Sequence, residues 1–190
     1  MERFCVVVSL RGSVAAKVRR VQRSLSLKTA SHACVDFWQP HLTVGSGINV
    51  AEKKLSTLTT QFHSALNNIT PFSVRIQGYE FMDRWSGGVF GRSPYVVYLR
   101  VTRTPVLFTL VTAVHKVTNR YSLFYRQPWP YTPHVTLAFS DLTKAGFHQA
   151  KAFLKGKKFT GTLRVDHVAL LRKNSRGRWT EYKKFMLSTR

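Results

Sequence analysis

Pro40-His41-Leu42-Thr43-Val44 and Pro133-His134-Val135-Thr136-Leu137 are two copies of one pattern, a proline followed by His-apolar-Thr-apolar. Side chains on a strand alternate between faces, so in each copy the histidine and threonine share one face and the two apolar residues share the other. Each copy can therefore root a strand in a core while presenting an imidazole beside a hydroxyl. The two copies decide the fold reading, because the elements around them recur in the same order.

Ahead of the first copy, Arg3 to Ser9 reads as a Val-rich strand bounded by charge and by Gly12. Ser13 is placed to cap a helix carrying Val14, Val18, Val21 and Leu25 at helical spacing. Gly45 and Gly47 close the motif strand, and Asn49 caps a second helix from Val50 to near Leu66, with Leu55, Leu58, Phe62 and Leu66 as its stripe. Phe72 to Met82 alternates as a long strand, with Gly78 marking a bulge. Trp85 to Pro94 is Gly-rich, and Tyr95 to Val101 is the next strand. Thr104-Pro105, an N-cap with proline in the first turn, opens a helix from Val106 to near Tyr121. A loop of Tyr, Arg, Trp and Pro, Tyr125 to Pro133, leads to the second copy. A short helix, Lys144 to Leu154, and two strands, Gly161 to Leu171 and Trp179 to Leu187, follow. The turn from Arg172 to Arg178 between those strands is strongly basic.

Strand, helix, motif strand, helix thus occurs twice. The repeat predicts an α+β fold: two pseudo-symmetric lobes of antiparallel sheet, helices packed outside, and both motif strands facing a central cleft. No linker or composition break divides the chain, so residues 1–190 read as a single bilobal domain, and as a monomer.

Composition narrows the partners. Thirty Lys and Arg against 8 Asp and Glu give a net charge of +22, a field that draws polyanions by steering and counterion release. With 13 Phe, 7 Tyr and 4 Trp interleaved, the expected partner is RNA (single-stranded or with tRNA-like ends) or an oligonucleotide, not a membrane. No apolar run spans a bilayer, and Phe4 to Val8 is too short for a signal-peptide core. Arg11 to Lys28 has the acid-free, Arg- and Ser-rich composition of a transit peptide, but the strand before it looks like part of the fold, so it reads as a structural helix. Cys5 and Cys34 form neither a disulfide framework nor a metal signature, and Cys5 reads as a reduced core residue. The expected location is cytoplasmic, with nucleus and mitochondrion left open.

The two His-x-Thr motifs resemble those of the 2H phosphoesterase superfamily, most closely its 2′-5′ RNA ligase and RNA cyclic-phosphodiesterase branch. Gly78 with Phe81, Arg92-Ser93-Pro94 running into Tyr95-Val96-Val97-Tyr98-Leu99, and the closing Val168-Ala169-Leu170 with Tyr182, Phe185 and Leu187 extend the likeness over nearly the whole chain. Phe139-Ser140 stands where the family often carries a basic residue, and a serine common near Lys173 is replaced. These departures touch the substrate, not the chemistry.

In-line cleavage of a phosphodiester needs a base on the attacking oxygen and an acid on the leaving one, and histidine suits both near neutral pH. The resemblance implies His41 and His134 as that pair, with Thr43 and Thr136 donating to the non-bridging oxygens. It implies opening of RNA 2′,3′-cyclic phosphates to 2′-phosphates, with reversible 2′-5′ ligation by the same pair. The sequence does not say which histidine is acid; likeness favours His134 as base and His41 as acid. Arg92 and Arg126 could fork onto phosphate, and Lys173 could guide the strand. Tyr131, Trp129 and Tyr79 could stack a base, while packing of Trp129 and Tyr131 beneath their loop fits the sequence equally well. His32, His63, His115, His148 and His167 lack the partner pattern. A metal centre on the same histidines would need further ligands, and only Asp36, Asp141 and Asp166 are near in sequence, so neither metal nor cofactor is expected. Two rivals remain: a phosphodiesterase for 2′-5′ oligoadenylates or cyclic oligonucleotides, and a non-catalytic RNA-binding module.

Overall fold

The computed structural model describes residues 1–85, 93–121 and 131–188. The strands are β1 (Glu2–Ser9), β2 (His41–Val50), β3 (Phe72–Met82), β4 (Val96–Val101), β5 (His134–Ala138), β6 (Thr160–Val165), β7 (His167–Lys173) and β8 (Trp179–Met186). They form one antiparallel sheet in the order β6-β3-β4-β5-β2-β1-β7-β8. The helices are α1 (Gly12–Thr29), α2 (Ala33–Asp36), α3 (Leu55–Leu66), α4 (Pro105–Thr118) and α5 (Lys144–Leu154).

The repeat legible in the sequence is present as β1-α1-β2-α3 followed by β4-α4-β5-α5, and the two motif strands are neighbours at the centre. The halves exchange elements. After the first repeat β3 crosses to pair with β4, and after the second β7 returns to pair with β1. The helices cross as well: α1 packs on β5 and β6, while α4 packs on β2. One continuous core runs from Phe4 and Val6 through Leu42, Val44, Val135 and Leu137 to Leu170 and Phe185.

Local physics explains most elements. In α1, Val14, Val18, Gln22 and Leu25 fall on one buried face, so the basic segment is a working part of the fold. Thr104 accepts a hydrogen bond from the Leu107 amide with Pro105 in the first turn, and Thr143 does the same for Gly146, each satisfying an otherwise orphaned donor. Cys5 and Cys34 are free and buried, and burial pushes the Cys5 thiol up to about 12.

Three boundaries differ from the expectation. The N-cap position of α1 is Arg11, and no side chain caps it, so Ser13 does not serve. Asn49 does not cap a helix: β2 runs on through Gly45 and Gly47 to Val50, a 3₁₀ turn follows at Glu52–Lys54, and the helix begins at Leu55. Gly161 to Leu171 is not one strand. It breaks at Asp166, whose carboxylate meets His167 Nδ1 at 2.5 Å and whose carbonyl accepts from the Leu187 amide. The chain thereby passes from β6 at one edge of the sheet to β7 in the other half.

Candidate active site

Leu42, Val44, Val135 and Leu137 are sealed beneath the helices, so alternation turns His41, Thr43, His134 and Thr136 onto the opposite, partly exposed face. All four line one cleft of about 1060 Å³. Among the described residues no other histidine lines it. His32 meets Ser26, His63 packs edge-on against Phe185, and His167 holds Asp166.

The prolines set both histidines in the same way. A residue before proline is confined to extended backbone, which fixes the carbonyl two positions ahead of each histidine. His41 Nδ1 lies 2.7 Å from the Gln39 carbonyl, and His134 Nδ1 lies 2.7 Å from the Thr132 carbonyl. A carbonyl only accepts, so each Nδ1 carries the hydrogen and each Nε2 is left as the nitrogen that exchanges a proton. The proline carbonyls are themselves held, Pro40 by the Leu10 amide at 2.9 Å and Pro133 by the Val101 amide at 3.1 Å.

β2 and β5 pair at a single register point, Leu42 opposite Val135. Counting outward, the antiparallel register sets His41 across from Thr136 and Thr43 across from His134. Diagonal neighbours in such a pair stand roughly 7–8 Å apart, a gap that admits a phosphate between the imidazoles. Because the strands share one bridge, the motif carbonyls beyond it need other partners. The buried Tyr131 hydroxyl donates to the Thr43 carbonyl at 2.6 Å, and Gln22 Nε2 of α1 donates to the Thr136 carbonyl at 2.9 Å. Each motif threonine is thus held by a side chain reaching its backbone from outside the sheet.

The aromatic surroundings of the two rings differ. Trp38 stacks on His41 at 4.8 Å between centroids and on Trp179 at 4.7 Å. His134 is met edge-on by Trp85 at 5.6 Å and Tyr98 at 5.3 Å. Arg19 positions Trp38 by donating to its carbonyl at 2.6 Å and to that of Cys34 at 3.0 Å. Asp141 ties down the start of the same segment, accepting from the Ser31 hydroxyl at 2.6 Å and the His32 and Ala33 amides at 2.7 and 3.0 Å. The Phe139-Ser140 departure sits here: the Phe139 ring meets Trp38 edge-on, so the position contributes an apolar wall instead of a cation.

Burial dominates the electrostatics of both imidazoles. It pushes His41 down to about 4, helped by His134 and Arg19 and opposed by the Gln39 carbonyl. It also lowers His134, opposed by the Thr132 carbonyl. Both rings are therefore neutral at neutral pH until an anion enters between them and favours their charged forms.

The substrate contacts expected from sequence divide. Lys173 lines the cleft at the end of β7. Arg92, Arg126 and Trp129 lie outside the described residues. Tyr131 does not offer a stacking face: it is 3% exposed, its ring meets Phe108, and its hydroxyl is spent on Thr43. Tyr79 faces the wrong side. The Gly78 bulge, at φ +70°, shifts the alternation by one, so Tyr79 turns from the cleft side into the core against Phe159. Sequence reasoning missed Trp38, Trp179, Trp85, Tyr98 and Gln22. Of these, Trp38 carried a signal, an aromatic two residues before the motif proline.

A family model described as the 2′-5′ RNA ligase superfamily matches residues 9–177. No curated protein sequence matches the chain. Solved structures share its fold: a phosphoesterase with a TM-score of 0.70, 18% identity and 99% of each chain covered; Escherichia coli LigT crystallised with 3′-AMP, at 0.68, 18% and 99% of each chain; and TT0787 of Thermus thermophilus, at 0.66, 18% and 97% of each chain.

Proposed function

The chain belongs to the 2′-5′ RNA ligase superfamily, and from that premise we propose that it is a metal-independent phosphodiesterase opening 2′,3′-cyclic phosphates at RNA ends to 2′-phosphates. The observation that carries the reading is the matched pair of Nδ1-to-carbonyl bonds, which leaves two Nε2 atoms on one cleft.

One neutral imidazole takes a proton from water as the water oxygen attacks phosphorus. The other, protonated in the complex, gives its Nε2 proton to O3′ as the P–O3′ bond breaks. Thr43 and Thr136 donate to the non-bridging oxygens, where charge grows in the transition state. The 2′-phosphate leaves, and solvent exchange restores the two protonation states. With the 5′-hydroxyl of a second strand in place of water, P–O5′ forms as P–O3′ breaks and a 2′-5′ linkage is made. The reverse, attack by the neighbouring 3′-hydroxyl with O5′ leaving, breaks it and restores the cyclic phosphate. Nucleotides as occupants are supported by E. coli LigT, which shares the fold and has been crystallised with 3′-AMP, ATP and phosphate.

The test is incubation of a cyclic-phosphate oligonucleotide with the protein in EDTA, beside 2′-5′ linked and cyclic oligonucleotides. Turnover of the cyclic end in chelator is expected. Loss of turnover in chelator contradicts the metal-independent reading, and turnover confined to the other substrates favours a signalling-nucleotide phosphodiesterase. RNA binding without any turnover favours a non-catalytic module.

A further inference from the structure

A second concavity, of about 390 Å³, adjoins His134 on the side away from His41 and shares Thr132 with the cleft. It is lined by Tyr98, Arg100, Arg103 and Thr102, with Gln77 and Glu80 on its floor. Arg100 is the ladder partner of His134, so the two side chains rise side by side on one face. Arg103 reaches Thr132 Oγ1 at 3.4 Å, and Thr102 Oγ1 is buried with no hydrogen-bond partner among the described residues.

This groove opens onto a half-sheet that no helix covers among the described residues. Helices α1 and α5 cover the other face of β6, β3 and β4, where Val74, Ile76, Leu163 and Val165 are buried. On the open face the register leads outward strand by strand, from His134 to Arg100, from Arg100 across Gln77 toward Arg75 two residues along β3, and to Arg164 opposite Ser73. Arg75, Arg100 and Arg164 are exposed. The carboxylate lining the groove is Glu80, which meets Arg100 at 3.7 Å with both side chains about half exposed.

We propose that this open half-sheet carries the RNA strand on the 5′ side of the reacting phosphate. Arg100 and Arg103 take the first upstream phosphates, and Arg75 and Arg164 take those beyond. The inference rests on the phosphodiesterase reading, in which the cyclic phosphate is the 3′ end and the chain leaves the site in one direction only. Guanidinium forks match phosphate oxygens. The intervening Ser73, Gln77 and Thr162 offer only small polar groups, so the face selects for length and not for base identity.

The test compares wild type with an Arg75→Gln/Arg164→Gln double variant, whose changes are exposed and remote from both histidines. Affinity is measured for a single-stranded dodecamer over a salt series, and turnover is measured on a cyclic-phosphate dinucleotide and on the cyclic-phosphate dodecamer. The variant is expected to bind the dodecamer at least about five-fold more weakly and to lose about 1.4 from the slope of log affinity against log salt, two single-strand contacts at about 0.7 each. Dinucleotide turnover stays unchanged. Unaltered dodecamer affinity and slope would overturn the inference, as would equal losses on dinucleotide and dodecamer. A wild type that opens neither substrate contradicts the phosphodiesterase reading, and the binding arm then decides this inference by itself.

Discussion

Each catalytic imidazole is oriented by a backbone carbonyl on its Nδ1, which leaves Nε2 to exchange the proton. His41→Ala and His134→Ala should each lower turnover by about 10²–10⁴, the usual worth of a positioned acid or base. Thr43→Val and Thr136→Val should each cost about 2–4 kcal/mol of barrier while leaving KM nearly unchanged, because the donors act on charge that grows only in the transition state. Stopped assays on a cyclic-phosphate dinucleotide check all four. His41 also makes a pH prediction. Its ordinary value is 6.5 and burial holds it near 4 in the fold, so the unfolded chain binds the extra proton between those values. Stability is full above about 6.5 and declines as pH falls toward about 4. The urea midpoint should therefore drop over that window, with a shallower drop in His41→Gln. An equally steep drop in the variant would show that the ring is not held neutral. At this scale the sequence was highly legible: His41, Thr43, His134 and Thr136 share a face because alternation is geometry. Trp38 stood two residues before the motif proline, but its stack on Trp179 joins the segment after α2 to β8, and no local spacing announces that pairing.

At the scale of elements, the motif strands touch at one point and are steadied from the helix side. Tyr131→Phe removes the donor to the Thr43 carbonyl without removing the ring. It should cost about 1 kcal/mol of stability and lower turnover more than KM, with Gln22→Leu behaving alike at Thr136. Thermal melts paired with kinetics separate the two effects; a loss of stability at unchanged turnover would make these bonds merely structural. Gly45, beneath α4, is a second test. A Cβ there would stand 2.8 Å from Val114 Cγ1 and 3.1 Å from Thr118 Cγ2, so Gly45→Ala should destabilise by about 1–3 kcal/mol through overpacking. Element types were readable from periodicity and caps, and Thr104-Pro105 is the clearest case. The misreadings share a cause. Asn49 and Asp166 sit where the chain continues or breaks for reasons set by strands distant in sequence, and the bulge at Gly78, legible from its residue type, carries Tyr79 to the other face.

For the whole molecule, the repeat gave the two halves and the central position of the motifs, while the exchange of β3 and β7 between halves had no counterpart in the sequence. That exchange matters to function, because it brings strands from both repeats to either side of one cleft. The charge of +22 acts at this scale too. Turnover of RNA at low substrate concentration should fall steeply with added salt, while that of a cyclic mononucleotide falls much less, since only the longer polyanion displaces many counterions.

The central claim is that two imidazoles, one from each half, act on one phosphorus. Product analysis of a defined RNA bearing a 2′,3′-cyclic phosphate, with wild type beside His41→Ala and His134→Ala, tests it most directly. The account predicts a single 2′-phosphate product from wild type, formed at least about 10²-fold more slowly by either variant. A 3′-phosphate product, or a variant that keeps wild-type turnover, would contradict it.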